Sequence, residues 1–120
     1  RSILGPIRSD ICPLSYAVEI AEELLFEQKI PMDDIRVTER IYPAVAGQIA
    51  RSTGTVARRV ERLANLCWDA LVERELVEQY IGEPIKKIRA PRDMIFYLAY
   101  FIHFGKPFYA VIAAQPAMLF

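Results

Sequence analysis

The residues of this chain best suited to molecular recognition lie between positions 51 and 65. Read in order, the charged and amide side chains of this stretch are Arg51, Arg58, Arg59, Glu61, Arg62 and Asn65. Arg can donate a fork of hydrogen bonds to guanine, Asn matches adenine, and Glu accepts from cytosine, so these residue types suit the DNA major groove. On a solvated helix face, Arg58, Glu61 and Arg62 would form ordinary pairs worth a few tenths of a kcal/mol. Both interpretations stay open.

Helical periodicity separates these polar residues from an apolar set. At about 100° per residue, four polar side chains share one side of a helix: Arg58, Glu61, Arg62 and Asn65. The opposite side carries an apolar spine, made of Val56, Val60, Leu63, Cys67 and Leu71. We therefore expect the spine to be buried and the polar face to be exposed, as a recognition helix requires.

A second helix and a turn are predicted immediately before this one. In "VTERIYPAVAGQIARS", Ile41, Val45 and Ile49 recur at four-residue steps. Thr38 is the candidate N-cap, so this helix is expected from about Thr38 to Arg51. "STGT" follows, where Gly54 can adopt unusual backbone angles and Thr55 can cap the next helix. Two helices joined by a tight turn containing Gly predict a helix-turn-helix over residues 38–73.

The remaining elements are also predicted to be helical. "PLSYAVEIAEELLFEQ" places apolar residues at helical spacing, namely Leu14, Ala17, Val18, Ala21, Leu24 and Leu25. "SILGPIRSD" can hold one short helical turn, and "RDMIFYLAYFIHF" reads as an apolar final helix stopped by Gly105. The sequence predicts a single all-α domain over residues 1–120, a compact bundle of five to six helices. A two-stranded wing at 76–90 would contradict this prediction.

Charge is balanced over the chain but unevenly distributed. Residues 1–50 carry five Lys/Arg and eight Asp/Glu, a net charge of −3, whereas residues 51–92 carry nine and six, a net charge of +3. The basic part includes "GEPIKKIRAPRD", a predicted loop with four cations: Lys86, Lys87, Arg89 and Arg92. These side chains could contact phosphates, which fix register without reading sequence. An ordinary solvated loop is the alternative.

Little in the sequence points to catalysis. The one histidine, His103, lies among aromatic residues in a predicted core helix, where a structural role is favoured over a general base. No phosphate-binding glycine loop and no metal-ligand spacing occurs, so we expect no enzyme activity, cofactor or metal. Cys12 and Cys67 are expected to be reduced thiols of a cytoplasmic protein. The apolar run at 94–104 is too short to span a bilayer, so no membrane association is expected.

The segment "IARSTGTVARRVERLANLCWDA" resembles the recognition region of a known family, the C-terminal DNA-binding effector domain of the stage-zero sporulation response regulator. The matching positions are Ile49, Ala50, Thr55, Ala57 and the core Arg59, Val60, Glu61, Arg62. Tyr42 and Pro43 are also shared, with four additional residues before Ile49 here. That insertion is about one helical turn. The resemblance covers about residues 3–100, and its most specific part is the core.

The resemblance implies an all-helical effector domain that follows a phosphorylatable receiver domain, binds promoter DNA and pairs with a second copy. It further implies that Glu61 and Arg62 face bases. Asn65 stands where the family normally has Arg, and Val56 and Arg58 replace a Thr and a Ser.

Pattern and resemblance together predict a sequence-specific DNA-binding domain of a transcriptional regulator. The expected base contacts are Glu61, Arg62 and Asn65. The expected phosphate contacts are Thr55, Arg58, Arg59, Lys86, Lys87 and Arg89. The expected partners are double-stranded DNA, a second copy of this chain and an upstream receiver domain.

An alternative is a protein-interaction or dimerisation module on a helix-turn-helix scaffold that no longer reads DNA. Trp68 and Val72 lie on the flank that carries Glu61, and the C-terminal segment 94–120 is apolar with almost no charge. Exposed apolar surface usually marks a partner interface, so this segment predicts a homodimer. If the tail instead folds back and covers Trp68, it completes the core of a monomer.

Overall fold

The computed structural model describes residues 11–114, and within this range every regular element is helical. Six α-helices follow one another: α1 (Cys12–Glu22), α2 (Tyr42–Ile49), α3 (Thr53–Glu73), α4 (Val77–Ile81), α5 (Asp93–Phe104) and α6 (Phe108–Ala114). Residues 76–90, where a wing would have stood, hold α4 and a loop. The all-α prediction is therefore confirmed over the described residues. The helical turn predicted in "SILGPIRSD" lies outside them.

Helix α1 forms as predicted, and a wider π-helical turn, Glu23–Glu27, extends it. The six apolar positions predicted for its inner face are all buried. They pack against α5, α3 and α2, which places α1 at the centre of the bundle. The 3.6-residue period of the apolar positions was sufficient to predict which of them are buried, because one face of the helix is covered along its whole length.

The second helix begins later than the sequence suggests. A π-helical turn occupies Val37–Ile41, and α2 starts at Tyr42 without a side-chain cap, so the prediction of Thr38 as N-cap is wrong. Pro43 is the reason. It has no N–H to donate to the carbonyl of Glu39, so a regular α-helix cannot run from Thr38 through Pro43, whereas proline is tolerated in a first turn.

The turn between α2 and α3 comprises residues 50–52, and a serine caps α3. Ser52 is extended, and its Oγ accepts a hydrogen bond of 3.2 Å from the N–H of Thr55. The prediction of Thr55 as the cap is therefore wrong, because Ser52 lies three residues before that N–H, as an N-cap must. Ala50 adopts the left-handed conformation at φ 56°, and Gly54 is helical. The glycine does not make the turn.

Replacing Ala50 by Gly and Gly54 by Ala should each stabilise the protein. Ala50→Gly relieves a left-handed alanine, and Gly54→Ala adds a methyl group whose nearest neighbour is the flexible Arg58 side chain at 3.8 Å. Each change should raise the free energy of unfolding by about 0.5 to 1 kcal/mol, measured by urea denaturation. Ala44→Gly, at an exposed position of α2, is the control and should destabilise by a similar amount. A loss of stability from Ala50→Gly would contradict the turn geometry.

The apolar spine of α3 is buried as predicted. Val56, Val60, Leu63 and Cys67 are each 0% exposed. The first three join the main core with α1, α2 and α5. Cys67 belongs to a second cluster, composed of Ala64, Cys67, Trp68, Leu71, Ile81 and Met94. Helix α3 thus lies against two cores along its length, which holds its orientation.

The chain continues in helical form beyond Gly105. Gly105 caps α5 in the left-handed conformation, as expected, but α6 follows, so α5 is not the final helix. Phe108 and Val111 are buried in the main core, and Tyr109 packs against the second cluster that contains Trp68. Helix α6 therefore packs on its own domain through Phe108, Tyr109, Val111 and Ile112; residues 115–120 lie outside the described range.

No single helix in the described part of the chain is long and apolar enough to cross a membrane. By length and composition, α5 and α6 pass that test only as a pair, and they are bent by 65° relative to each other.

The two cysteines should differ sharply in reactivity. Burial raises the pKa of the Cys67 thiol to about 12, whereas Cys12 is exposed. Since the thiolate is the reactive form, Cys67 stays protonated and covered at neutral pH. A colorimetric disulfide reagent should label one thiol quickly in the native protein and the second only in denaturant. Cys12→Ser should remove the fast phase, and a fast phase of two thiols would refute this assignment.

Candidate nucleic-acid interface

The solvent face of α3 carries the predicted base-reading residues, but not all of them equally. Arg62 and Asn65 are exposed, and so is Arg58 one turn earlier. Glu61 and Arg59 are half-buried at the margin of the face. The helix therefore presents two guanidinium groups and one amide to solvent. These groups supply many hydrogen-bond donors, and the arginine side chains extend well away from the helix backbone.

Glu61 is held by a residue of α2. The hydroxyl of Tyr42 donates a hydrogen bond of 3.0 Å to Glu61 Oε2, and the Tyr42 ring is fully buried. Burial raises the pKa of the Tyr42 phenol, the hydrogen bond to Glu61 adds to the shift, and nearby Arg92 opposes it. The phenol thus stays neutral and donating. One oxygen of Glu61 is occupied, and only its remaining acceptor capacity is available to a ligand.

The N-terminal turn of α3 has its own hydrogen-bond network. The Ser52 hydroxyl donates to Thr55 Oγ1 at 2.9 Å, and Arg58 Nη2 donates to the same oxygen at 3.4 Å. These contacts bring the Arg58 guanidinium back over the start of the helix. Positive charge is thereby gathered where backbone N–H groups already favour an anion.

The basic loop between α4 and α5 packs beside α3. Ile85 and Ile88 contact the second cluster, which contains Trp68 and Leu71 of α3. The intervening lysines, Lys86 and Lys87, are exposed. The loop is therefore anchored by its isoleucines while its lysines remain in solvent.

The last cations of that loop have partners in the domain. Arg89 Nε lies 3.4 Å from Asp93 Oδ2, in a pair whose arginine side chain is highly exposed. The Asp93 side chain is largely covered, so an exchange of this pair for a phosphate would cost Asp93 a partner. The charge of Arg92 acts on Tyr42, where it opposes the rise in the pKa of the phenol.

His103 lies at the surface rather than in the core. Its side chain is exposed in the last turn of α5, its ring is stacked on Phe26 with centroids 4.0 Å apart, and Nδ1 lies 4.0 Å from Glu22 Oε2. The expected aromatic neighbours are present, but the expected burial is wrong, because the last turn of α5 is exposed at Ile102, His103 and Phe104. Burial raises the pKa of the Glu22 carboxyl, and His103 opposes that shift.

Tyr42 and Ser52 belong to this surface, although the sequence pattern does not predict it. Nothing in the pattern links Tyr42 to Glu61, nineteen residues away. Ser52 had a detectable signal, because serine is among the preferred N-cap residues and stands just before the helix.

No protein-family model matches this chain, and no curated protein or solved structure matches it either.

Proposed function

We propose that this domain is a sequence-specific DNA-binding module of a transcriptional regulator, in which α2 and α3 act as a helix-turn-helix. Helix α3 would lie in the major groove. The observation that carries the proposal is the exposed face of Arg58, Arg62 and Asn65, backed by a fully buried spine and preceded by a three-residue turn. A recognition helix needs both a solvent-exposed polar face and a fixed orientation.

Three residues are assigned to base contacts. Arg62 donates to guanine O6 and N7, and Asn65 pairs with adenine. Glu61 accepts from cytosine N4 through the carboxylate capacity that Tyr42 leaves available. In this arrangement Tyr42 is a positioning residue, because it fixes the side chain that faces the base without touching DNA.

The phosphate contacts are assigned to Thr55, Arg58, Arg59, Lys86, Lys87 and Arg89. Residues 51–62 carry four arginines and one glutamate, a net charge of +3 against zero for the whole chain. Because the domain has no overall basic excess, one copy should bind weakly. Two copies on half-sites about one helical turn apart, roughly 34 Å, would supply the missing affinity. This is why a homodimer belongs to the proposal, together with an upstream receiver domain and a cytoplasmic location.

A second candidate function is a protein-interaction module, supported by exposed apolar side chains. Val72 is 49% exposed, Ile102 55% and Phe104 38%. Scattered apolar residues are common on surfaces, so these three favour a partner less strongly than the polar face of α3 favours DNA. If the domain binds DNA under no condition tested, the protein-interaction module is the candidate function that remains.

Fluorescence anisotropy with labelled duplexes of mixed sequence tests whether the domain binds DNA at all. The affinity should fall steeply between 50 and 200 mM salt, since bound phosphates release counterions. Excess unlabelled duplex should compete fully. An anisotropy that does not change up to high protein concentration at low salt would reject the proposal.

The lysines of the basic loop should act as phosphate contacts. Replacing Lys86 or Lys87 by Ala should weaken binding to all sequences alike and lower the slope of log K against log salt by about one unit each. Lys106→Ala, an exposed lysine between α5 and α6, is the matched control and should leave the slope unchanged. An unaltered slope in both loop variants would remove this loop from the interface.

A further inference from the structure

A groove runs between the Pro31–Asp34 turn and α6. It has a larger lobe of about 700 Å³ and a smaller lobe of about 460 Å³. Four residues line both lobes: Met32, Asp33, Phe108 and Tyr109. The larger volume lies within the range of about 300 to 1,000 Å³ usual for small-molecule sites.

The wall of the larger lobe is mainly aromatic and aliphatic. Tyr100 and Phe108 pack edge to face with ring centroids 4.9 Å apart, and both are largely covered by the domain. Tyr109 and Ile112 of α6 complete this side. Tyr109 is only half-buried, so among these rings it leaves the most aromatic surface for a cation with an organic body.

The charges at the larger lobe have one sign. Asp33, Asp34 and Glu83 contribute three carboxylates. None of the described residues lining this lobe is Lys, Arg or His. The smaller lobe differs, because Arg89 there pairs with Asp93. Among the described lining residues, the larger lobe therefore places three carboxylates beside aromatic rings, and one of them, Asp33, also lines the smaller lobe.

We propose that the larger lobe binds a small organic ammonium compound. Its apolar body would contact Tyr109, Phe108 and Ile112, and its ammonium group would lie against Asp33, Asp34 or Glu83. Carboxylates and ring faces both attract a cation and disfavour an anion, which defines the ligand class. The proposal goes beyond DNA binding and does not depend on it, since no residue assigned to DNA lines this lobe.

The test uses three probes of one size that differ in charge: 2-phenylethylamine, 2-phenylethanol and phenylacetate. Each is titrated into the ¹⁵N-labelled 120-residue chain at pH 7, where the amine is protonated as lysine is. The amine should shift the amide signals of residues 32–34 and 108–113 in a saturable manner. The alcohol should bind at least about fivefold more weakly, and phenylacetate more weakly still.

Two variants probe the carboxylates and the cavity. Asp33→Asn combined with Asp34→Asn should weaken amine binding about fivefold or more. Ala113→Trp places a large ring in the lobe from an exposed position and should abolish binding without disturbing the core. Glu73→Gln, which lines neither lobe, is the charge control and should bind like the parent chain.

Equal affinity for the amine and the alcohol would overturn the proposal, and so would saturable shifts that survive Ala113→Trp. Absence of any shift with the amine would overturn it as well. Since the readout involves no DNA, a failure here is distinguishable from a failure of the DNA-binding proposal.

Discussion

Replacing Tyr42 by Ala is expected to lower the free energy of unfolding by about 3 to 5 kcal/mol. The ring is fully buried in the main core, so its removal leaves a cavity and also deprives Glu61 of its donor. Urea denaturation followed by circular dichroism at 222 nm measures the loss. Because the loss is a large share of the stability usual for a domain, the midpoint should shift far toward low urea.

Tyr42→Phe separates the hydroxyl from the ring. It keeps the packing and removes only a hydrogen bond to a charged acceptor, so a loss of about 1.5 to 3 kcal/mol is expected. Tyr16→Phe, at a half-buried tyrosine of α1, is the control and should cost less. If Tyr42→Phe leaves stability unchanged, Glu61 is not held in the way described.

Arg62→Ala is expected to reduce affinity for the preferred DNA site by about 1 to 3 kcal/mol and to relax preference at one base pair. The reason is its exposed position on α3, with a guanidinium that can form two hydrogen bonds to guanine. Anisotropy against a panel of duplexes that differ by single base pairs measures both effects. The variant should lose discrimination at one position and keep it at the others.

The matched control is Arg74→Ala, which removes the same charge at the C-terminal end of α3. Twelve residues separate the two arginines, about 18 Å along the helix axis. Arg74 is exposed, so its removal should leave discrimination and affinity nearly unchanged. An equal loss on every duplex from Arg62→Ala would assign Arg62 to a phosphate instead, and no loss would place it outside the interface.

The parts of the fold that follow one helix face could be predicted from the sequence. The apolar positions of α1 and the spine of α3 are buried as the wheel predicts. Each set belongs to a single helix whose apolar side is covered, so periodicity contains the necessary information.

The helix ends were harder to predict from the sequence, because several neighbouring residues could each act as the capping or turn residue. Thr38 and Ser52 both have a capping hydroxyl, but Pro43 prevents a regular helix from running through from Thr38, and Ser52 stands where the N–H of Thr55 can reach it. Gly54 looked like the turn residue, yet Ala50 adopts the left-handed angles. Intrinsic propensities of neighbouring residues differ by about 1 kcal/mol, and packing can override a difference of that size. Propensity alone therefore does not decide which neighbour caps a helix or makes a turn.

Long-range features had no signal in the sequence. The bond from Tyr42 to Glu61 depends on how α2 crosses α3, and the groove beside α6 depends on how that helix returns to the core. The apolar neighbours of His103 along the chain favour a core position, although the end of α5 is exposed. Such features arise from tertiary packing rather than from local pattern.

Selection from random-sequence DNA tests the central claim most directly. The parent chain and Arg62→Ala are each used to select duplexes from one library at low and at physiological salt, and the bound pools are sequenced. The parent chain should enrich one motif, with two half-sites at a fixed spacing, and the variant should enrich the same motif with one position relaxed. No enrichment by the parent chain at low salt, or an identical motif from the variant, would contradict base reading by α3.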